Sequence, residues 1–151
     1  MNHLRRNLSI AFLAVFTACI VSGQTEHRYV IPSDSVPTYL NSTKDIGMTI
    51  LLDKESVGSS AALSLGTFLP GSGVPEHVHK DAAEIIYLLN GEIEMTIGAK
   101  QFVAVAGSAI YVPPNVPHSA SVIGSIEPVK VVQIYSPGGP EQRFKDWGAS
   151  P

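Results

Sequence analysis

The chain has 151 residues, 44% of them apolar, and a mean hydropathy of +0.18, enough for one core that needs no disulfide staple. Its formal net charge is −3 and its sequence pI is near 5.9. No basic stripe runs along it, which argues against nucleic acid and anionic membrane surfaces as partners.

Residues 1–23 read as a secretory signal. Arg5 and Arg6 precede an apolar run from Leu8 to Val21, and the small residues Ser22 and Gly23 come just before the polar Gln24. The run of about 14 residues is shorter than the roughly 20 a membrane-spanning helix needs. Removal before Gln24 is expected, leaving a periplasmic or secreted protein with no membrane contact. Losing Arg5 and Arg6 takes the formal charge from −3 to −5. Cys19 is the only cysteine. Thr17-Ala18-Cys19 offers lipoprotein processing as an alternative, although Phe16 stands where that signal prefers Leu.

Residues 24–45 are polar and interrupted by Pro32 and Pro37, which predicts an arm over the edge of the fold. From 46 to 136 short β-rich runs alternate with turn signals. They are Ile46–Leu52, Ala61–Leu69, Glu84–Leu89, Ile93–Ile97, Phe102–Val105, Ala109–Val112, His118–Ile123 and Val129–Tyr135. Asn90-Gly91 is the strongest hairpin signal, because both residues tolerate the positive φ of a type I′ turn. Gly98-Ala99-Lys100, Ala106-Gly107 and Gly124-Ser125 mark further turns. Short strands with no crossover helices predict an all-β fold, an antiparallel double-sheet jelly-roll barrel. In the tail, 137–151, Phe144 and Trp147 are three apart, so one helical turn lays both on the barrel as an apolar cover.

The residues with the most chemistry fall in two segments, Gly71-x5-His77-x-His79-x4-Glu84-x6-Gly91 and Gly107-x5-Pro113-x-Asn115-x2-His118. His77 and His79 share a face if the chain is extended. Glu84 has the wrong parity for one continuous strand, so Lys80-Asp81-Ala82-Ala83 must turn the chain and Glu84 must open the next strand. Ile86 and Leu88 then share its face. Glu92 and Glu94 alternate against Ile93, Met95 and Ile97, which makes them wet-face groups rather than ligands. Pro113-Pro114-Asn115-Val116-Pro117 is a rigid turn that fixes where the strand bearing His118 begins. Three histidines and a carboxylate suit a borderline divalent transition metal: Fe, Mn, Ni, Co, Cu or Zn.

Together these segments resemble the two signature motifs of the cupin superfamily. The first matches at every position. In the second, Asn115 stands where the family has Gly, and Val122 where it often has Asn. The resemblance implies His77, His79, Glu84 and His118 as metal ligands, with Glu84 also a catalytic base. It implies a small-molecule metalloenzyme of dioxygenase or oxidoreductase type acting on an enolisable or hydroxy-acid-like substrate. The alternatives are a non-catalytic metal- or ligand-binding cupin, or a cupin isomerase or decarboxylase. Glu76 and Tyr87 are further polar groups near the ligands, read as surface and packing residues. Many family members pair barrels through an edge strand, so the resemblance allows a homodimer.

Overall fold

Period-two alternation sets which side chains meet between the sheets. Along Ala83–Asn90, Glu84, Ile86 and Leu88 are buried while Ile85, Tyr87 and Leu89 are exposed. The computed structural model describes residues 30–150; the signal segment, Cys19 and the expected start at Gln24 lie outside the described residues.

In chain order the strands are β1 (Thr38–Leu40), β2 (Ile46–Leu52), β3 (Ala62–Phe68), β4 (Gly73–His77), β5 (Ala83–Asn90) and β6 (Glu92–Ile97). They continue with β7 (Lys100–Val105), β8 (Ala109–Val112), β9 (His118–Val122), β10 (Val129–Ser136) and β11 (Gly148–Ala149). One sheet runs β11-β1-β2-β3-β10-β5-β8 and the other β4-β9-β6-β7. All pairings are antiparallel, so the chain folds as the expected all-β double-sheet jelly roll.

Each of the eight predicted runs forms a strand, with ends within two residues of those expected. β4 had no run of its own because Pro75 interrupts it. It lies at the edge of its sheet, where a missing backbone N–H is tolerated. Within the residues expected as an arm, Thr38–Leu40 pairs with both β2 and β11.

The Asn90-Gly91 expectation fails. The strands on either side of it belong to different sheets, and only Gly91 has positive φ, at 81°, so no type I′ hairpin forms. Asn90 is instead held by β10 and the residues before it. Its Nδ2 donates to the Pro128 carbonyl at 2.8 Å and its Oδ1 accepts from the Lys130 N–H at 2.9 Å. Gly91 then carries the chain from one sheet to the other, and a Cβ there would sit 2.5 Å from Val129 Cγ2. The two-residue hairpin falls at Gly98-Ala99, where Ile97 pairs with Lys100.

The core has two parts. Ile86, Leu88, Ile93, Met95, Val112 and Val131 belong to one cluster, drawn from both sheets. Ile46, Met48, Ile50, Ala62, Tyr135 and Phe144 form the second, with Val74 and Trp147 against them. Phe68 packs on both clusters, and the second brings the C-terminal segment onto the barrel.

Candidate metal centre

The β4–β9 ladder sets two of the histidines. His77, the last residue of β4, pairs with His118, the first of β9, and their ring centroids are 4.2 Å apart. His79 lies just beyond the strand, 4.8 Å from His77 and 4.9 Å from His118 by ring centroid. One ligand atom from each falls within 4.8 Å of the others. Asp81, at φ 57°, turns the chain, and Glu84 enters on β5 facing inward as its parity requires.

A second turn residue locks this geometry. Asn115 takes φ 63°, its N–H donates to the His79 carbonyl at 2.9 Å, and its side chain exchanges hydrogen bonds with Asp81 at 3.2 and 3.3 Å. The residue that replaces the family glycine therefore keeps the left-handed backbone and also ties the two histidine-bearing segments together.

Ring orientation decides what the imidazoles offer. The Nδ1 of His77 lies 2.9 Å from the Pro75 carbonyl, and that of His118 lies 2.9 Å from the Val116 carbonyl. A carbonyl only accepts, so each Nδ1 carries the proton and each Nε2 presents a lone pair. His79 differs. Its Nδ1 faces the Arg143 guanidinium at 3.2 Å, which only donates. To present Nε2 as a ligand, its ring must carry the proton on Nδ1 and release that contact.

All three Nε2 atoms are buried without a hydrogen-bond partner. Glu84 Oε2 lies 3.1 Å from His118 Nε2 and 3.4 Å from His79 Nε2, but neither approach has hydrogen-bond geometry. Buried polar nitrogens are rarely orphaned. Three of them converging beside a carboxylate form a donor set that fits a borderline divalent ion.

The electrostatics of His77 and Glu84 agree with that fit, while His118 shifts the other way. Burial lowers His77 to about 4, reinforced by the Arg143 charge and opposed by the Pro75 carbonyl. The ring is neutral at pH 7, as a ligand must be. Burial pushes Glu84 up, but His118, His79 and Gln133 outweigh it and hold the carboxyl well below the usual range. Burial lowers His118, and contact with Glu84 more than reverses this, raising it.

His77, His118, Glu84 and Gln133 line a cavity of about 320 Å³. Its walls are largely apolar, including Met48, Phe68, Ile93, Met95, Phe144 and Trp147. Of the other residues singled out in the sequence, Glu76 lines the cavity but is exposed. Tyr87 is exposed on the outer side of β5, and Glu92 and Glu94 are half-buried outside the histidine cluster. Phe144 is buried against Trp147, with ring centroids 5.0 Å apart. Both residues line the cavity as well as covering the core.

Sequence reasoning missed Gln133, Tyr135 and Arg143. Gln133 Nε2 donates to Glu84 Oε1. Tyr135 packs edge-on to His79 at 4.8 Å, and its hydroxyl accepts from Arg143 Nη2 at 3.2 Å. Gln133 carried a signal, as a polar residue in phase with Val129 and Val131 on an inward face. Arg143 carried none.

Comparison with known proteins matches residues 64–135 to a family described as the Cupin domain. The chain is similar to quercetin 2,3-dioxygenase of Bacillus subtilis, 31% identical over 71 residues, covering 47% of this chain and 21% of the dioxygenase. It therefore spans only about a fifth of that relative's length. It is also similar to the solved structure of oxalate decarboxylase from Bacillus subtilis, with 27% identity, 63% of this chain and 26% of the other covered, and a TM-score of 0.56. An RmlC-like cupin from Shewanella frigidimarina shares the fold, with a TM-score of 0.64 at 16% identity over 76% of this chain and 96% of that one. The matched segment begins in β3 and ends in β10, and it contains every histidine and carboxylate of the centre; the chain is a small cupin-domain protein.

Proposed function

We propose that the protein is a metal-dependent enzyme of dioxygenase or oxidoreductase type, acting on a small enolisable or hydroxy-acid-like substrate in the periplasm or outside the cell. One observation carries this reading: three buried, unpartnered Nε2 atoms converge beside Glu84, which with His77 and His118 lines a mostly apolar cavity. In it His77, His79, His118 and Glu84 hold a divalent transition ion. Such an ion supplies Lewis acidity and open coordination positions for a bidentate oxygen ligand.

The remaining roles belong to the chain. The Pro75 and Val116 carbonyls fix the His77 and His118 rings. Gln133 holds Oε1 of Glu84 and so aims Oε2 into the cluster, where a Glu84 loosened from the ion could accept a substrate proton. The apolar walls limit water around the reacting end. The similarity to quercetin 2,3-dioxygenase supports the oxygenase reading. The Mn(II) centres named for the oxalate decarboxylase support Mn among the candidate metals.

A second reading is a metal- or ligand-binding cupin without turnover; the Arg143 contact to His79 Nδ1, which opposes ligation through Nε2, favours its metal-free, ligand-binding form. Anaerobic Fe(II) reconstitution followed by O₂-consumption assays on small diketones and flavonols separates the two. Stoichiometric iron with O₂ uptake supports the enzyme. Stoichiometric iron with neither O₂ uptake nor rearrangement of any enolisable substrate leaves the binding protein. The mass of the exported chain tests the location, with cleavage before Gln24 expected.

A further inference from the structure

We propose that Arg143 is the anion-binding residue of the cavity, and that the ligand is a small monoanionic amphiphile, its carboxylate or enolate on the guanidinium and its apolar body in the barrel. This deepens the reading above by naming the substrate class, and it rests on that reading only for the end at which the head group lies.

The placement of Arg143 comes from its neighbours. Residues Pro140–Asp146 form a short 3₁₀ strap across the barrel. Glu141 is fully buried and accepts the N–H groups of Lys54 and Gly139. Phe144 is buried in the second core cluster, and Lys145 reaches Asp53 at 2.7 Å and Glu55 at 2.8 Å. With both flanks fixed, Arg143 points into the cavity, of which it is the only lysine or arginine among the described lining residues.

Among the described residues its charge has no counter-ion within ion-pair distance: no carboxylate lies within 4.0 Å of it, and its polar partners are two uncharged atoms, His79 Nδ1 and the Tyr135 hydroxyl, each at 3.2 Å. The guanidinium sits 4.9 Å from the Phe144 ring centroid and 5.9 Å from that of Tyr135, within reach of cation–π attraction to both. Of its five N–H donors at most two have protein partners, the contact to His79 being released when that ring ligates, so at least three remain for a ligand. A half-buried cation gains most from a partner that brings the missing negative charge.

The cavity limits the rest of the ligand. At about 320 Å³ it is near the lower end of small-molecule sites. The walls offer Met48, Phe68, Ile93, Met95, Phe144 and Trp147, which an apolar body satisfies and a small dianion or a sugar does not.

Trp147 is the only tryptophan in the chain and lines the cavity, so its fluorescence reports occupancy without turnover. Zn(II)-loaded protein is titrated with phenylacetate, its neutral isostere phenylacetamide, and oxalate. Phenylacetate is expected to bind at least about 10-fold more tightly than the amide, and more tightly than oxalate. Arg143→Gln is expected to bring acid and amide within about twofold of each other, while Arg143→Lys, which keeps the charge, retains part of the preference. A preference that persists in Arg143→Gln belongs to the metal and overturns the proposal. So does an amide bound as tightly as the acid, tighter binding of oxalate, or no saturable binding of phenylacetate. If Arg143→Gln fails to fold, the wild-type acid-to-amide ratio and the Arg143→Lys ratio decide, and the proposal falls if either is unity. Acid preference without O₂ uptake removes only the enzymatic reading, whereas O₂ uptake without acid preference removes only this one.

Discussion

The histidine-bearing strands and the C-terminal strap both line the cavity, but a β-ladder fixes the first and side chains fix the second. His77 and His118 are a cross-strand pair, and carbonyls two residues back hold their rings. Moving either ring means disturbing the register of a sheet. Arg143 depends on one buried carboxylate, one buried phenyl ring, a lysine contact and the two-residue strand β11. The difference suggests a division of labour, with the rigid side presenting metal donors and the strap tuning what lies beside them. Substitutions on the strap then alter ligand choice without undoing the donor set.

The largest expected effect breaks the rigid side. Glu84→Ala and His118→Ala should each lower Zn(II) affinity by more than the roughly 10–100-fold that loss of an outer partner costs, read by equilibrium dialysis with metal analysis. Full occupancy in both variants would show that the donor set is wrongly assigned. On the strap, Phe144→Ala removes a buried ring from the second cluster. It should cost about 3 kcal/mol in denaturant unfolding while leaving Zn(II) affinity within about threefold. A large loss of metal affinity in that variant would mean that the two sides are one unit.

How much of each side was legible follows the same division. The ligand parity, the need for a turn before Glu84, and the inward faces of β5 and β6 could all be read from the sequence, because period-two alternation and glycine or proline punctuation are local signals. Asn90-Gly91 misled because local turn preference lost to a non-local one: the Asn90 side chain bonds the backbone of Pro128 and Lys130, about 40 residues along the chain. Arg143 was illegible for the same reason, since its role depends on where the strap docks.

Asn115 lies between these cases. Its tolerance of positive φ could be anticipated, but its hydrogen bonds to Asp81 could not. Two variants separate the contributions. Asn115→Ala should lose about 1–2 kcal/mol from the left-handed backbone in addition to the bonds to Asp81 at 3.2 and 3.3 Å. Asn115→Gly should recover the backbone part alone. If the two variants are equally stable in denaturant unfolding, the conformational contribution is absent.

The smallest effect concerns the ion pairs that hold the strap. Burial pushes Asp53 up, but its hydrogen bonds with Lys145 and Ser56 prevail and hold it at about 2, against an ordinary 3.8. A carboxyl whose folded pKa is depressed contributes stability that is fully present well above 3.8 and is lost as pH falls through its folded value. Both partners keep some solvent contact, with side chains 31% and 13% exposed for Lys145 and Asp53, so the pair should be worth no more than about 1 kcal/mol. Lys145→Ala is therefore expected to unfold more easily than wild type by about 0.5–1 kcal/mol at pH 6. That gap should close between pH 3.8 and about 2, where wild type loses the same pair by protonation. Urea unfolding followed by Trp147 fluorescence, on wild type and variant across that range, gives the gap directly. A gap that stays constant down to pH 2 would mean that the lysine holds the strap by packing its aliphatic stem, and that the ion pairs add nothing to its docking.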